Sequence, residues 1–469
     1  MSALSFGTDG WRAVMCDAFT LENVRIVTQA IVDYVKSEGK QKSGLIIGYD
    51  TRFFAERFAE ACASVLAGNG MPVYLVKRAM PTPITAYAIG AYGAAGAIML
   101  TASHNPPEYN GIKFIPDYAG PATPEITKRI EESIGEIEVS KIPSVFLEGN
   151  ELIHFIDPVP SYINHLKTLV DFDLIKRSGL KVVVDPMYGA GQGILKTLLE
   201  VAGCEVYPIH DCRDVLFGGF LPDPSFENLQ ELRTLVLKKK ADLGLALDGD
   251  ADRFGVVDSL GVYLSPNQVL TILCLHLLRA RGFRGSLVRT VATTHSLDKI
   301  ATEFGAKIEE TPVGFKYVGE IMRSEPVVLG GEESGGLSIL GHIPEKDGLL
   351  ADLLLAEIVA YQRKPLSHIL EDIYREYGHH YSERLDVEYP QDKKQVLLAE
   401  LKTCPPPSIA GLSIEEVVTK DGVKYVLSEG SWILIRPSGT EPLIRIYIES
   451  TSKEKFEELG KFARGLLEQ

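Results

Sequence analysis

No two cysteines in this chain are spaced C-x-x-C. The six that it has, Cys16, Cys62, Cys204, Cys212, Cys274 and Cys404, are scattered, several of them within apolar helical patterns. They read as core thiols of a reducing compartment. No stretch approaches 18 uninterrupted apolar residues, so no membrane-spanning helix is expected. The opening MSALSFGTDGWR lacks a basic segment followed by an apolar one, so no secretory leader is expected. There is no basic excess either. Lys and Arg number 48 against 63 Asp and Glu, a formal charge of -15. That balance argues against nucleic acid or an anionic membrane as a main partner. It leaves room for an anionic small molecule, because a local basic cleft can outweigh the global charge. The expectation is a cytoplasmic protein.

What is present is ample apolar material. The 469 residues are 45% hydrophobic and 24% charged, the balance of a globular protein too long for one core, so three or four domains are expected. Three segments share a strand, loop, helix, Gly, strand grammar: Leu45 to Val76, Lys181 to Ile209 and Ser286 to Val313. Units of this kind imply right-handed crossovers and largely parallel sheet. The tail differs. RLDVEY, EEVVTKDGVKYVL, WILIRP and LIRIYIES read as strands, with Asp421-Gly422 as a hairpin turn and SKEKFEELGKFARGLLE as an amphipathic helix. Boundaries fall near residues 150, 255 and 370. Lys238, Lys239 and Lys240 read as a solvated helix face, and CPPPS from 404 as a loop.

Four loops carry chemistry. In LTASHNPPEYNGIKF, residues 100 to 114, an apolar strand ends in Ser103 and His104, followed by two prolines, an Asn110-Gly111 turn and Lys113. Pro106 and Pro107 fix φ and push their neighbours to extended geometry, so Ser103 is presented by a stiff loop. His104 and Lys113 could handle its proton or neutralise charge beside it. An ordinary capped loop would read the same way. In LGLALDGDADRFGVVD, residues 243 to 258, a strand runs into Asp248, Asp250 and Asp252. Alternating carboxylates on an extended loop can converge on one hard cation. An EF-hand is excluded, because the sixth position is Arg253 and the twelfth Ser259. A polar surface turn is the alternative. In LGGEESGGLSI, residues 329 to 339, Glu332, Glu333 and Ser334 between Gly pairs suit sugar hydroxyls, although an acidic turn reads equally well. In ILIRPSGTEPLIRIYIE, residues 433 to 449, Arg436, Ser438, Gly439 and Thr440 read as an anion cradle or a plain hairpin connection.

Together, TASHNP, DGDADR, GEESGG and RPSGTEP resemble the four signature loops of the α-D-phosphohexomutase family, in family order and spacing, with FGTDGWR from residue 6 at the start. The resemblance covers essentially the whole chain. It implies an α/β fold: three related α/β domains with mixed, largely parallel sheets plus a smaller C-terminal α+β domain, arranged around a central cleft. The domains would be 1–150 with the phosphoserine loop, 151–255 with the metal loop, 256–370 with the sugar-binding loop and 371–469 with the phosphate-binding loop. Ser103 would be the phosphoserine, with Arg12, His104, Lys113 and Arg253 beside it and Lys113 as general acid or base. Mg2+ would sit on Asp248, Asp250, Asp252 and an oxygen on Ser103. Gly314, Phe315, Lys316, Glu332, Ser334, Lys346, Arg436, Ser438, Gly439, Thr440 and Arg445 would bind substrate. Glucose 1,6-bisphosphate would serve as intermediate and activator, and the enzyme would be a monomer or dimer acting on a small phosphosugar.

The resemblance also bears on the sugar. TPVGFKYVGE from Thr311 and HIPEKDG from His342 are similar to phosphoglucomutase patterns, with Phe315 where bifunctional mannose/glucose enzymes often carry His. Glucosamine enzymes typically carry Gln where Glu333 stands and His where Gly336 stands. Glucose is therefore favoured, and Gly336 is expected to leave space that widens specificity. The rival readings are a bifunctional phosphomannomutase/phosphoglucomutase, a glucose-1,6-bisphosphate synthase, a phosphatase that hydrolyses its phosphoserine, and a non-catalytic sugar-phosphate-binding protein. The last should have lost Ser103 or a metal-loop aspartate, and both are intact.

Overall fold

The computed structural model describes residue 4, residues 10–438 and residues 442–465. The chain divides into two compact units. One comprises Met1–Pro266, Met322–Ser324 and Ser334–Ser367; the other comprises Asn267–Ile321, Glu325–Glu333 and His368–Gln469.

Two mixed sheets build the first unit. One is ordered Trp11–Val14, Tyr109–Pro116, Gly96–Leu100, Leu45–Tyr49, Val73–Val76, Ile153–Ile156. Its last four strands run parallel, and the first two join antiparallel. The other is ordered Tyr263–Leu264, Phe254–Asp258, Leu243–Leu247, Lys181–Asp185, Glu205–Pro208, again parallel at one side and antiparallel at the other. Leu45–Tyr49, Gly96–Leu100 and Leu243–Leu247 are buried throughout, as strands covered on both faces must be, and this is why they read as unbroken apolar runs. The helix Gly348–Gln362 is buried on nearly every side and starts at Asp347, whose side chain accepts a hydrogen bond from Leu350 N at 2.9 Å. That cap satisfies one of the helix's orphan donors.

In the second unit, Ile308–Thr311, Ser286–Thr290 and Val327–Gly331 pair in parallel. A five-stranded antiparallel sheet follows, ordered Tyr381–Glu388, Leu443–Ser450, Trp432–Pro437, Val423–Leu427, Ile414–Val418. The helix Lys453–Gly465 packs Leu459 and Ala463 against Ile433, Ile446 and Ile448. Each fully buried aliphatic side chain of this core contributes about 1.5–3 kcal/mol.

The chain is thus α/β, with two α/β sheets of mixed strand direction, a third built on parallel pairs and a C-terminal antiparallel α+β region. Leu45 to Val76, Lys181 to Ile209 and Ser286 to Val313 each form a parallel strand pair joined by a helix. Lys238, Lys239 and Lys240 are exposed at a helix end. The cysteines differ from expectation. Cys62, Cys204 and Cys274 are buried, but Cys16, Cys212 and Cys404 are exposed, and all six are free. Cys16 lies in a turn at φ 65° and Cys404 ends the helix Lys394–Thr403, so the apolar residues around them do not carry them into a core.

The Asp421-Gly422 turn joins Ile414–Val418 to Val423–Leu427. Gly422 has φ +84°, and a Cβ there would lie 2.4 Å from the Ile435 carbonyl oxygen. Gly422→Ala should therefore cost about 1–3 kcal/mol in denaturant unfolding. An unchanged midpoint would show that the turn relaxes at no cost.

Candidate active site

The site in the first unit starts at a strand end. Gly96–Leu100 stops at Thr101, whose Oγ1 accepts a hydrogen bond from Ser103 N at 2.8 Å. Ser103 sits at φ 50°, an uncommon region for a residue with a Cβ, and is 1% exposed. Its Oγ donates to Asp248 Oδ2 at 2.8 Å and lies 3.3 Å from His104 Nδ1. Arg12, on the sheet's edge strand Trp11–Val14, donates to Asn105 Oδ1 at 2.7 Å. The Asn110-Gly111 turn does not exist. Both residues lie inside the strand Tyr109–Pro116, and a Cβ on Gly111 would come within 2.4 Å of the Thr101 oxygen and 2.8 Å of the Trp11 oxygen. This glycine lets two neighbouring strands close in rather than turning the chain, and Lys113 follows on that strand opposite Met99.

The acidic loop connects Leu243–Leu247 to its antiparallel partner Phe254–Asp258. It is not extended, because Ala251 turns it at φ 60°. Residues two apart on an extended strand are about 7 Å apart. The turn gathers ligand oxygens of Asp248, Asp250 and Asp252 within 4.8 Å of one another. All three residues are buried. Cations and donors from distant segments answer them. Lys113 Nζ lies 2.9 Å from Asp250 Oδ2 and 3.1 Å from Asp252 Oδ2, and Lys346 Nζ lies 2.9 Å from Asp252 Oδ2. Thr82 donates from Oγ1 to Asp250 Oδ2 at 2.6 Å and from its amide to the Asp250 carbonyl at 2.9 Å. Arg253 donates its amide to Asp248 Oδ1 at 3.1 Å, and its Nε lies 3.9 Å from Asp252 Oδ1.

Burial, then the two neighbouring carboxylates, push Asp248 well above the usual carboxylate range. Burial opposes the charge of Asp250 too, but Lys113 and Thr82 outweigh it and hold that group low. Burial and Asp250 oppose the charge of Asp252, and Lys346 and Lys113 outweigh them. The charge of Arg253, followed by burial, drives His104 well below the ordinary imidazole value. Asp250 Oδ1 and Asp252 Oδ1 are buried and accept no hydrogen bond from a described residue. Three converging carboxylates with oxygens to spare fit a hard divalent cation. Magnesium or manganese chloride should therefore raise the melting temperature of chelator-treated protein, by about 2.7 kcal/mol of added stability at a hundredfold excess over Kd. Asp250→Asn should abolish that rise. An equal rise in the variant would show that the ion binds elsewhere.

Gly336 departs from expectation. A Cβ there would lie 2.5 Å from Lys346 Cδ and 2.7 Å from Cγ, so the space beside Gly336 is filled by the lysine stem. Lys346 crosses the glycine to reach Asp252. The segment behind it is fixed to the acidic loop, with Gly348 N donating to the Ala251 carbonyl at 3.1 Å. Asp347 Oδ2 accepts from Tyr162 at 2.5 Å and lies 2.9 Å from His342 Nε2. Gly336→Ala should displace Lys346 and lower kcat/KM for every hexose phosphate the protein turns over. A wider substrate range at undiminished kcat/KM would instead restore the empty-space reading.

In the second unit, Gly314 N donates to Glu332 Oε1 at 2.8 Å, bringing two of the expected sugar-binding motifs together. Phe315 is buried at the start of the helix Phe315–Ser324, and Lys316 Nζ lies 5.3 Å from the Tyr317 ring centre. Glu333 accepts from Thr290 Oγ1 at 3.0 Å. Arg436 and Arg445 face each other across antiparallel strands. That register sets two guanidinium-bearing residues side by side on neighbouring strands. Arg436 Nε donates to Asp421 Oδ2 at 2.7 Å, and Asp421 more than offsets the burial that opposes the arginine's charge. Ser438 N donates to the Leu443 carbonyl at 3.0 Å, and Lys394 Nζ donates to the Ser438 carbonyl at 2.9 Å. Gly439 and Thr440 lie outside the described residues.

Arg12, Ser103, His104, Lys113, Asp248, Asp250, Asp252, Arg253, Ser334 and Lys346 thus belong to the first unit, and Gly314, Phe315, Lys316, Glu332, Arg436, Ser438 and Arg445 to the second. Sequence reasoning missed Thr82 and Asp421. The Pro81-Thr82-Pro83 run marks a helix start after a strand and could have pointed to the first. Nothing local pointed to an Asp421–Arg436 pair.

Matches to known proteins follow this geometry. Four profiles of the phosphoglucomutase/phosphomannomutase family match: α/β/α domain I over residues 3–141, domain II over 160–261, domain III over 265–377 and the C-terminal domain over 390–464. A phosphoglucomutase/phosphomannomutase of Thermococcus kodakarensis is 34% identical, covering 99% of this chain and 98% of its own. A phosphoglucosamine mutase of Caldicellulosiruptor saccharolyticus is 32% identical, covering 98% and 97%. A solved chain from Thermus thermophilus, named provisionally as a phosphomannomutase, superposes with TM-score 0.86 at 35% identity, covering 100% of both chains. Fold and site together define a sugar-phosphate mutase, an enzyme of the isomerase class. The chain belongs to the phosphoglucomutase/phosphomannomutase family of α-D-phosphohexomutases, and it is a phosphohexomutase. Among the described residues no helix is long and apolar enough to cross a membrane.

Proposed function

We propose that the chain interconverts hexose 1-phosphate and hexose 6-phosphate, with glucose as the preferred sugar, through a phosphoserine at Ser103 and a bound hexose 1,6-bisphosphate. The observation that carries the reading is the Ser103 hydroxyl, donating at 2.8 Å to one of three converging carboxylates. A hydroxyl that reaches a divalent-cation site is where a phosphoryl group can be held while its charge is neutralised. In the forward step the Ser103 Oγ–P bond breaks as a P–O bond forms to the free sugar hydroxyl, and that hydroxyl's proton ends on the freed Ser103 Oγ. In the return step the bond from the other phosphate to its sugar oxygen breaks as a P–O bond forms to Ser103 Oγ, and the serine proton ends on that sugar oxygen. Lys113, close enough to touch both Asp250 and Asp252, is the residue we assign to proton transfer and charge neutralisation. Asp248, Asp250, Asp252 and an oxygen on Ser103 would hold Mg2+, which when bound supplies positive charge to the phosphoryl oxygens.

Arg12, His104 and Arg253 are assigned to the same phosphoryl pocket. Glu332, Ser334, Lys346 and Gly314 to Lys316 are assigned to the sugar. Arg436, Arg445 and Ser438, with Gly439 and Thr440, are assigned to the phosphate that is not reacting. The cross-strand placement of Arg436 and Arg445 supports that last assignment, because guanidinium forks suit phosphate oxygens. Glucose rests on the Phe315-Lys316 and Lys346-Asp347 patterns. The relatives' names span glucose, mannose and glucosamine. Six free cysteines support a reducing, cytoplasmic setting.

Ser103→Ala should remove nearly all turnover and leave the fold intact, since the residue lies on a loop. Phosphorus NMR with magnesium and a trace of glucose 1,6-bisphosphate would test this and the sugar together, with the 1-phosphates of glucose, mannose and glucosamine run in parallel. Fast 6-phosphate formation from glucose alone is expected. Comparable rates on mannose would make the enzyme bifunctional, and bisphosphate or free phosphate building up without isomerisation would overturn the mutase cycle proposed for these loops.

A further inference from the structure

Two prolines and a left-handed serine leave the Ser103 loop short of amide donors for its own carbonyls, although Tyr109 N does donate to the Pro106 carbonyl at 3.1 Å. Pro106 and Pro107 bring no amide hydrogens, and Ser103 at φ 50° interrupts any regular pattern. A buried carbonyl left without a donor is destabilising. One side chain answers them. Arg52, which follows the strand Leu45–Tyr49, is fully buried. Its Nη2 donates to the carbonyls of Ser103 and Asn105, both at 2.7 Å. Its Nη1 donates to those of Pro106 at 2.7 Å and Tyr109 at 3.0 Å. Its Nε donates to Asp50 Oδ2 at 3.1 Å, so every donor of the guanidinium is used. Asp50 Oδ1 also accepts Arg52 N at 3.0 Å, and the Phe217 ring lies 5.0 Å from the guanidinium carbon.

We infer that Arg52 is a positioning residue for the reaction: by gathering the carbonyls of residues 103, 105, 106 and 109 on one guanidinium, it holds Ser103 in its strained conformation with Oγ directed at Asp248. This rests on the reading of Ser103 as the phosphoryl carrier. A strained backbone persists only where its surroundings over-determine it, and Arg52 with Thr101 Oγ1 supplies that determination. The buried charge also offsets the negative ends of four carbonyl dipoles in the loop that would carry a phosphoryl group. A lysine is no substitute, because a single ammonium has no planar fork to span four acceptors.

The test compares the full-length parent with Arg52→Lys and Asp50→Asn. Thermal melting, kcat and KM for glucose 1-phosphate at saturating bisphosphate, and the mass shift of Ser103 phosphorylation are all measured. Arg52→Lys should fold, keep KM within about threefold, and lose kcat by about 10²-fold, the effect of misplacing a reacting atom by an ångström. Asp50→Asn, which keeps one acceptor for Nε, should lose about tenfold in kcat at unchanged KM, and it decides the matter if Arg52→Lys does not fold. A kcat per folded molecule within about twofold of the parent, with the damage confined to melting temperature, would reduce Arg52 to a structural residue. If the parent isomerises without ever acquiring phosphate on Ser103, the phosphoserine reading falls and this inference with it. If the parent is phosphorylated normally and both variants match its kcat, only the role of Arg52 falls.

Discussion

Three carboxylates buried within five consecutive residues are the constraint from which the first unit is organised. Burying a charge is costly unless it is paired and hydrogen-bonded. Asp248, Asp250 and Asp252 therefore need partners, and the chain brings them from far away: Thr82 from a helix start, Ser103 from a strand end, Lys113 from a strand interior and Lys346 from the approach to a buried helix. Each of those segments is itself fixed by ordinary means, through sheet pairing for Lys113 and helix capping at Asp347 for its neighbour Lys346. The arrangement leaves buried carboxylate oxygens over, and their convergence fits a hard cation.

Much of this is legible in the amino-acid order because the signals are local. Buried parallel strands write themselves as unbroken apolar runs, as in Gly96–Leu100 and Leu243–Leu247. A loop carrying three aspartates at alternate positions announces carboxylate chemistry whatever its exact path. The misreadings share a different cause. Asn110-Gly111 has the composition of a turn, yet what decides its conformation is the close approach of Trp11 and Thr101 from adjoining strands. Gly336 looks like empty space until Lys346 is laid across it. The bend at Ala251 and the exposure of Cys16 depend on backbone angles that no side chain spells out. Arg52 is the extreme case. Its partners are mainly main-chain carbonyls, and these have no residue type by which a reader could pair them.

On the mechanism proposed, a pinned serine has a counterpart. If the loop bearing Ser103 holds one conformation through both phosphoryl transfers, the two ends of the sugar must be brought to it in turn. The motion of the cycle then belongs to the intermediate and to the residues that grip it, and rigidity at Ser103 is what makes that exchange of ends productive.

The packing of Lys346 over Gly336 also constrains how the chain can change over generations. A side chain at 336 has nowhere to go while the lysine stem lies there, and the lysine leaves the acidic loop if it is pushed aside. A lineage exploring new sugars cannot sample position 336 freely. A side chain at 336 can be accommodated only if 346 changes its path or its identity. Two positions ten residues apart in sequence are thus tied by packing into one heritable character.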